Sequence, residues 1–150
     1  MEIPLSPFMQ RALDLAQEAA LAGEVPVGAV IVRNGVEIAA CANAMRALKD
    51  PTAHAELEAI RAAARAIGNE RLDDCDLWVT LEPCPMCAGA IAHARIARVY
   101  YAAPDPKGGG VDHGPRIFTQ PTCHHRPDVY SGLGEAQASD QLRAFFAAKR

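Results

Sequence analysis

The chain has 150 residues, of which 50% are hydrophobic and 22% charged, a balance that excludes a disulfide-stapled miniprotein, a disordered segment and a fibrous repeat. Fifteen Lys and Arg against eighteen Asp and Glu give a formal net charge of -3, which argues against nucleic-acid binding driven by bulk charge. Five irregularly spaced cysteines, an opening MEIPLSPFMQ without a secretory pattern, and no run of ~20 apolar residues predict a reduced, cytoplasmic protein with no membrane span.

Ser6-Pro7 supplies a helix cap and a first helical residue. Phe8, Ala12, Leu15 and Ala19 then recur at helical spacing until Gly23, which predicts a first helix. Residues 27–32 and 36–41 flank Asn34-Gly35, a dipeptide that tolerates the positive φ angles of a tight turn, so two antiparallel strands follow. Asp50-Pro51 reads as the opening of a second helix that runs to Ile67 and stops at Gly68. Residues 77–80 read as a short buried strand, Pro85 starts an alanine-rich helix that ends near Arg95, and residues 99–101 read as another strand.

Residues 102–134 have a different character. They hold Gly108-Gly109-Gly110, several prolines and few periodic apolar positions, and read as loop with a short strand near Ile117 and Phe118. Glu135–Ala148 closes the chain as a helix with Leu142, Phe145 and Phe146 on or near one stripe. The order α-β-β-α-β-α-β-loop-α predicts an α/β fold. We expect a single domain over residues 1–150, built as three α/β/α layers around a mixed sheet.

The strongest chemical signal is His54-Ala55-Glu56 followed by Pro83-Cys84-Pro85-Met86-Cys87. Cys84 and Cys87 are three apart at a helix start, so they can point the same way and chelate one ion, and the helix N-terminus favours their thiolates. His54 is expected in the first turn of the preceding helix, so that two helix starts meet at one metal. One His and two Cys leave a fourth position for water, whereas structural zinc is normally closed by four protein ligands. A zinc-activated water needs a proton carrier, and Glu56 is the candidate. Residues at i and i+2 do not share a helix face, which places Glu56 beside the metal rather than on it. The alternative is a closed site with Cys123, His124 or His125 folded back as fourth ligand, in which the acid beside His54 has no chemical task. Cys41 and Cys75 lack metal-like spacing and read as buried small apolar residues, and His93 as a structural or interface residue.

The pattern His-x-Glu with Pro-Cys-x-x-Cys resembles the signature of the zinc-dependent nucleobase deaminases. Glu24-Val-Pro-Val-Gly-Ala-Val30, Asn43, Asp50-Pro-Thr-Ala-His-Ala-Glu56, Thr80-Leu-Glu-Pro-Cys84, Met86-Cys-Ala-Gly-Ala90, Ala92-His-Ala-Arg95 and Phe145-Phe146 before a basic ending extend the likeness over nearly the whole chain. These segments are similar to the bacterial tRNA-specific adenosine deaminases. The resemblance implies a cytidine deaminase-like fold, a homodimer with one zinc per subunit, and conversion of adenosine to inosine at the wobble position of a tRNA anticodon, chiefly of an arginine tRNA. Carried over by motif, it implies that His54, Cys84 and Cys87 hold the zinc, that Glu56 moves protons, and that Asn43 hydrogen-bonds the target nucleotide. Asp105, Lys107 and Phe146 fall where the family contacts RNA near the target. The chain departs from the family in residues 102–113, with two prolines and extra glycine, and in Thr122-Cys-His-His-Arg126. His124 and His125 stand open between RNA contact, dimer contact and polar loop.

Deamination of a free base or nucleoside, such as guanine, cytosine or cytidine, is the second reading, because the pocket and not the fold decides between them. A catalytically dead RNA-binding relative is disfavoured by Glu56 and the open zinc position. The charge is also unevenly spread, with seven Lys and Arg against thirteen acids up to Cys87 and eight against five from Ala88 onward. The basic excess lies in the segments that the resemblance places near tRNA, which predicts a shape-selective pocket with a modest basic rim.

Overall fold

The computed structural model describes residues 4–149. Residues 1–3 and Arg150, part of the terminal segments read above, lie outside the described residues. The elements in order are α1 (Pro7–Leu21), β1 (Gly28–Arg33), β2 (Val36–Ala42), α2 (Met45–Leu48), α3 (Ala55–Ile67), β3 (Cys75–Leu81), α4 (Pro85–Ala94), β4 (Arg98–Ala103), a 3-10 turn at Ile117–Thr119, β5 (Asp128–Ser131) and α5 (Glu135–Ala148). They form a five-stranded sheet in the order β2-β1-β3-β4-β5. β1 is antiparallel to both β2 and β3, while β3, β4 and β5 run parallel. This is the mixed α/β/α arrangement expected from the order of elements.

Alternation along the strands builds two cores. Ile31, Leu77, Val79 and Val99 face α3 and α4, whereas Val30, Val32 and Ala102 face the side that carries α1 and α5. α3 lies close on the sheet because its buried stripe is Ala55, Ala59 and Ala63, spaced one turn apart. Asn34 and Gly35 both have positive φ, 51° and 75°, so the hairpin turn is built as its sequence demands. Trp78, Tyr100 and Tyr130 pair in register across β3, β4 and β5 and stack, with ring centroids 3.9 and 5.0 Å apart.

Four details differ from the sequence expectation. The second helix starts at Ala55 and not at Asp50, because the Asp50 carboxylate accepts from Thr52 N at 2.8 Å and Thr52 Oγ1 at 2.7 Å and closes a turn of its own. Ile117 and Phe118 form a 3-10 turn, tied by Ile117 N to Gly110 O at 2.8 Å with no partner strand beside them. The 102–134 stretch contains β5, a short edge strand on β4. Met45–Leu48 form the short helix α2 where no element was expected. The closing helix α5 spans the expected residues, with Ala138 as its buried residue and Phe146 48% exposed.

The sheet also fixes where a site can form. β2 ends before Asn43, β3 ends before Cys84 and β4 ends before Asp105, and all three ends lie on one edge of the sheet. Ligands in α/β sheets gather outside the carboxyl ends of parallel strands, which here are β3 and β4.

Candidate metal centre and active site

His54 immediately precedes α3 in extended conformation, with φ -71° and ψ 150°, and Cys84 precedes α4 in the same way, with φ -70° and ψ 171°. Two helix starts therefore meet. His54 Nδ1 lies 3.7 Å from Cys84 Sγ and 3.6 Å from Cys87 Sγ, and the three ligand atoms lie within 4.8 Å of one another. A tetrahedral zinc with Zn–S near 2.3 Å and Zn–N near 2.0–2.1 Å needs N···S edges of roughly 3.6 Å. The donor set fits that ion. Among the described residues no fourth Cys, His, Asp or Glu joins this group.

The two thiols are inequivalent. A hydrogen bond from Cys87, with helix-start amides and His54 adding to it, brings the Cys84 thiol down to about 5. Cys87 is raised, chiefly because it is the partner that keeps the shared proton. The two thiols thus share one proton, which an incoming cation would displace. Glu56, the second residue of α3, is buried, at 4% exposure. Burial pushes its carboxyl up to about 7, and the thiolate of Cys84 adds to the rise.

Asn43 is buried at the end of β2, and its Oδ1 accepts from Ala55 N at 2.8 Å. That contact caps α3 in place of His54, whose side chain makes no cap. It also leaves the Asn43 side-chain NH2 as the group free to donate. Glu24 acts similarly on the short α2, accepting from Arg46 N at 3.0 Å and Ala47 N at 2.8 Å.

Behind Cys84 stands a carboxylate that the sequence reading quoted only as part of a motif. Glu82 is buried, and its Oε1 accepts from Asp105 N at 3.0 Å and lies 2.7 Å from His113 Nδ1. Its Oε2 accepts from the amides of Val111, Asp112 and His113 at 3.2, 3.0 and 3.1 Å. Burial raises the Glu82 carboxyl, but these donors outweigh it and hold the group below the usual glutamate range. Asp105 Oδ1 is turned back onto its own loop, accepting from Lys107 N at 3.2 Å and Gly108 N at 2.9 Å.

Lys107 lines one groove with Phe146, Arg143 and Lys149, a surface both basic and aromatic. Phe145 and Phe146 meet edge to face with centroids 5.3 Å apart, and Lys149 Nζ sits 5.1 Å from the Phe145 ring centre. Cys123, His124 and His125 do not fold back onto the metal ligands. Cys123 Sγ donates to His125 O, His125 Nε2 lies 2.7 Å from Ile96 O, and the three line a groove of about 310 Å³ with His93 and Arg95. Cys75 is buried as expected, whereas Cys41 is only half-buried. No helix among the described residues is long and apolar enough to cross a membrane.

Residues 4–103 match the cytidine and deoxycytidylate deaminase zinc-binding region. The chain is 57% identical over 143 residues to the tRNA-specific adenosine deaminase of Agrobacterium fabrum, covering 95% of this chain and 94% of that protein. A solved structure from biochemical and structural studies of A-to-I editing by tRNA:A34 deaminases at the wobble position superimposes with a TM-score of 0.89. It is 57% identical and covers 90% of this chain and 98% of its own. The guanine deaminase of Bacillus subtilis superimposes with a TM-score of 0.65 at 39% identity, covering 95% of each chain.

Proposed function

The chain belongs to the cytidine and deoxycytidylate deaminase zinc-binding family, and from that membership we propose that it hydrolyses adenosine to inosine at the wobble position of a tRNA anticodon. The observation that carries this reading is the 57% identity over nearly the whole chain with a tRNA-specific adenosine deaminase and with a structure from work on tRNA:A34 deaminases, against 39% for the guanine deaminase of Bacillus subtilis.

In this reading His54 Nδ1, Cys84 Sγ and Cys87 Sγ hold one zinc. A zinc held by these three residues would supply a water made nucleophilic at neutral pH. Glu56 takes one proton from the attacking water and delivers it to the ring nitrogen next to C6 of adenine as the C6–O bond forms. It then moves the remaining hydroxyl proton to the amino nitrogen, so that the C6–N bond breaks and ammonia leaves a C6 carbonyl. Burial of Glu56, which raises its carboxyl, keeps the group out of bulk water, so that it can hand protons on directly. Asn43, with its oxygen tied to Ala55, offers its NH2 to the target nucleotide. Lys107 and Phe146 supply charge and stacking surface to the flanking anticodon nucleotides. Asp105 shapes the turn that presents Lys107.

An arginine tRNA is the expected substrate. A cytoplasmic homodimer is expected, and Met86 and Leu48 are exposed apolar residues available to a second copy. The test is a substrate panel of tRNA, free adenosine, guanine and cytidine with the zinc-loaded protein. Inosine in tRNA alone supports the proposal; turnover of guanine alone overturns it in favour of a free-base deaminase.

A further inference from the structure

We propose that Glu82 is a positioning residue: its buried carboxylate locks the 105–113 loop against the turn that presents Cys84, and through that loop sets how tightly the RNA is held. The inference rests on the tRNA reading above, which places Lys107 at the substrate.

A carboxylate has about four acceptor sites, and Glu82 more than occupies them with five partners from one loop, four backbone amides and the His113 ring. Successive amides of Val111, Asp112 and His113 converge on Oε2 as an anion nest, with a side chain of this protein as the anion. The loop side is shaped to match. A Cβ on Gly109 would stand 2.4 Å from Glu82 Oε2, and one on Gly110 would stand 2.5 Å from Pro85 N, so both positions require glycine. Gly110 N donates to Pro83 O at 2.8 Å, and the Tyr101 hydroxyl donates to the Asp112 carboxylate. The loop is thus anchored on the Pro83–Pro85 turn by polar contacts that accept one geometry.

Apolar packing would hold a loop in place at lower desolvation cost than a buried charge. What the carboxylate adds is a single conformation, since each oxygen is satisfied only when Asp105 and residues 111–113 are all in place. Asp105 starts the turn that carries Lys107, so the same anchor fixes where the lysine projects. Glu82 itself is buried, and its hydrogen bonds go to this loop rather than to His54, Glu56, Cys84 or Cys87.

The experiment compares zinc-loaded wild type, Glu82→Gln and Gly109→Ala on an anticodon stem-loop. Zinc content, kcat, KM and amide hydrogen exchange of residues 105–113 are read together. Gln places an NH2 donor against amide donors, while Gly109→Ala crowds the same contact from the loop side and leaves β3 untouched. Both variants are expected to keep about one zinc per chain. Their loop amides should exchange at least tenfold faster, and KM should rise at least tenfold with kcat changed less than threefold. Faster exchange with unchanged KM overturns the role of the anchor in RNA binding, and zinc loss that tracks the lost activity in both variants overturns it as well. If Glu82→Gln does not fold, Glu82→Asp, which keeps the charge and shortens its reach, takes its place, because a Cβ on Gly109 would also stand 2.6 Å from Asp105 O. Wild-type protein inactive on the stem-loop overturns the tRNA reading and this inference with it, an outcome distinct from active wild type with unaffected variants.

Discussion

Replacing Asn43 with Ala and with Asp separates the two jobs assigned to it. Its Oδ1 accepts from Ala55 N at 2.8 Å at a position only 7% exposed. Ala55 opens α3, so its amide has no carbonyl partner within the helix. Asn43→Ala leaves that buried donor unpaired, at a cost of about 1–3 kcal/mol. A domain of this size loses roughly 2–4 °C of Tm per kcal/mol, which gives an expected fall of about 2–12 °C. Asn43→Asp keeps an acceptor for that amide and replaces the donor with a negative charge set beside a positive helix end. Its Tm should stay within about 2 °C of wild type. Its kcat/KM on a stem-loop should fall roughly tenfold or more, the equivalent of one lost hydrogen bond of about 1.4 kcal/mol. Thermal unfolding and initial rates on zinc-loaded protein read both quantities. An Asn43→Asp protein that melts as early as Asn43→Ala refutes the capping argument, and one with wild-type kcat/KM refutes the substrate contact.

Glu56→Ala should retain about one zinc per chain by metal analysis and lose turnover by roughly 10²–10⁴-fold or more; full activity would remove Glu56 from the chemistry. Cys87→Ala should bind no stoichiometric zinc, and chelation of the wild type should lower Tm, because the ion joins two helix starts that otherwise meet through contacts of His54 Nδ1 with the two sulfurs. Lys107→Ala should weaken RNA binding and reduce the slope of log affinity against log salt by about 0.7–0.9, as measured by titration at several ionic strengths; an unchanged slope would show that Lys107 makes no phosphate contact.

Local signals carried much of this molecule. The capped start of α1, the Asn34-Gly35 turn and the Pro85 start of α4 each depend on residues adjacent in sequence, and each was legible. So was the meeting of His54 with Cys84 and Cys87, because ligand spacing at two helix starts leaves few other arrangements. Asp50-Pro51 misled because it has the composition of a helix cap, yet its carboxylate is spent on Thr52. β5 was invisible because an edge strand with only Val129 and Tyr130 as apolar residues owes its existence to pairing with β4. Ile117 and Phe118 looked like a strand because a short apolar run does not reveal its period.

Glu24 and Glu82 were harder still. Their partners are backbone amides 22 to 31 residues away, and an amide leaves no mark in sequence. The one available hint was an acid embedded in an apolar, proline-flanked run, with Gly108-Gly109-Gly110 following β4. The charge pattern was informative once localised, since a chain of net charge -3 still gathers Lys107, Arg143 and Lys149 along one groove.

The central claim is that the enzyme converts one particular adenosine in a folded RNA. It is tested most directly by treating an arginine tRNA transcript bearing A at the first anticodon position with the zinc-loaded protein and sequencing its cDNA, in which inosine reads as G. The account predicts A-to-G conversion at that position alone, absent from the Glu56→Ala control. An unconverted wobble adenosine, or conversion of adenosines throughout the transcript, would contradict it.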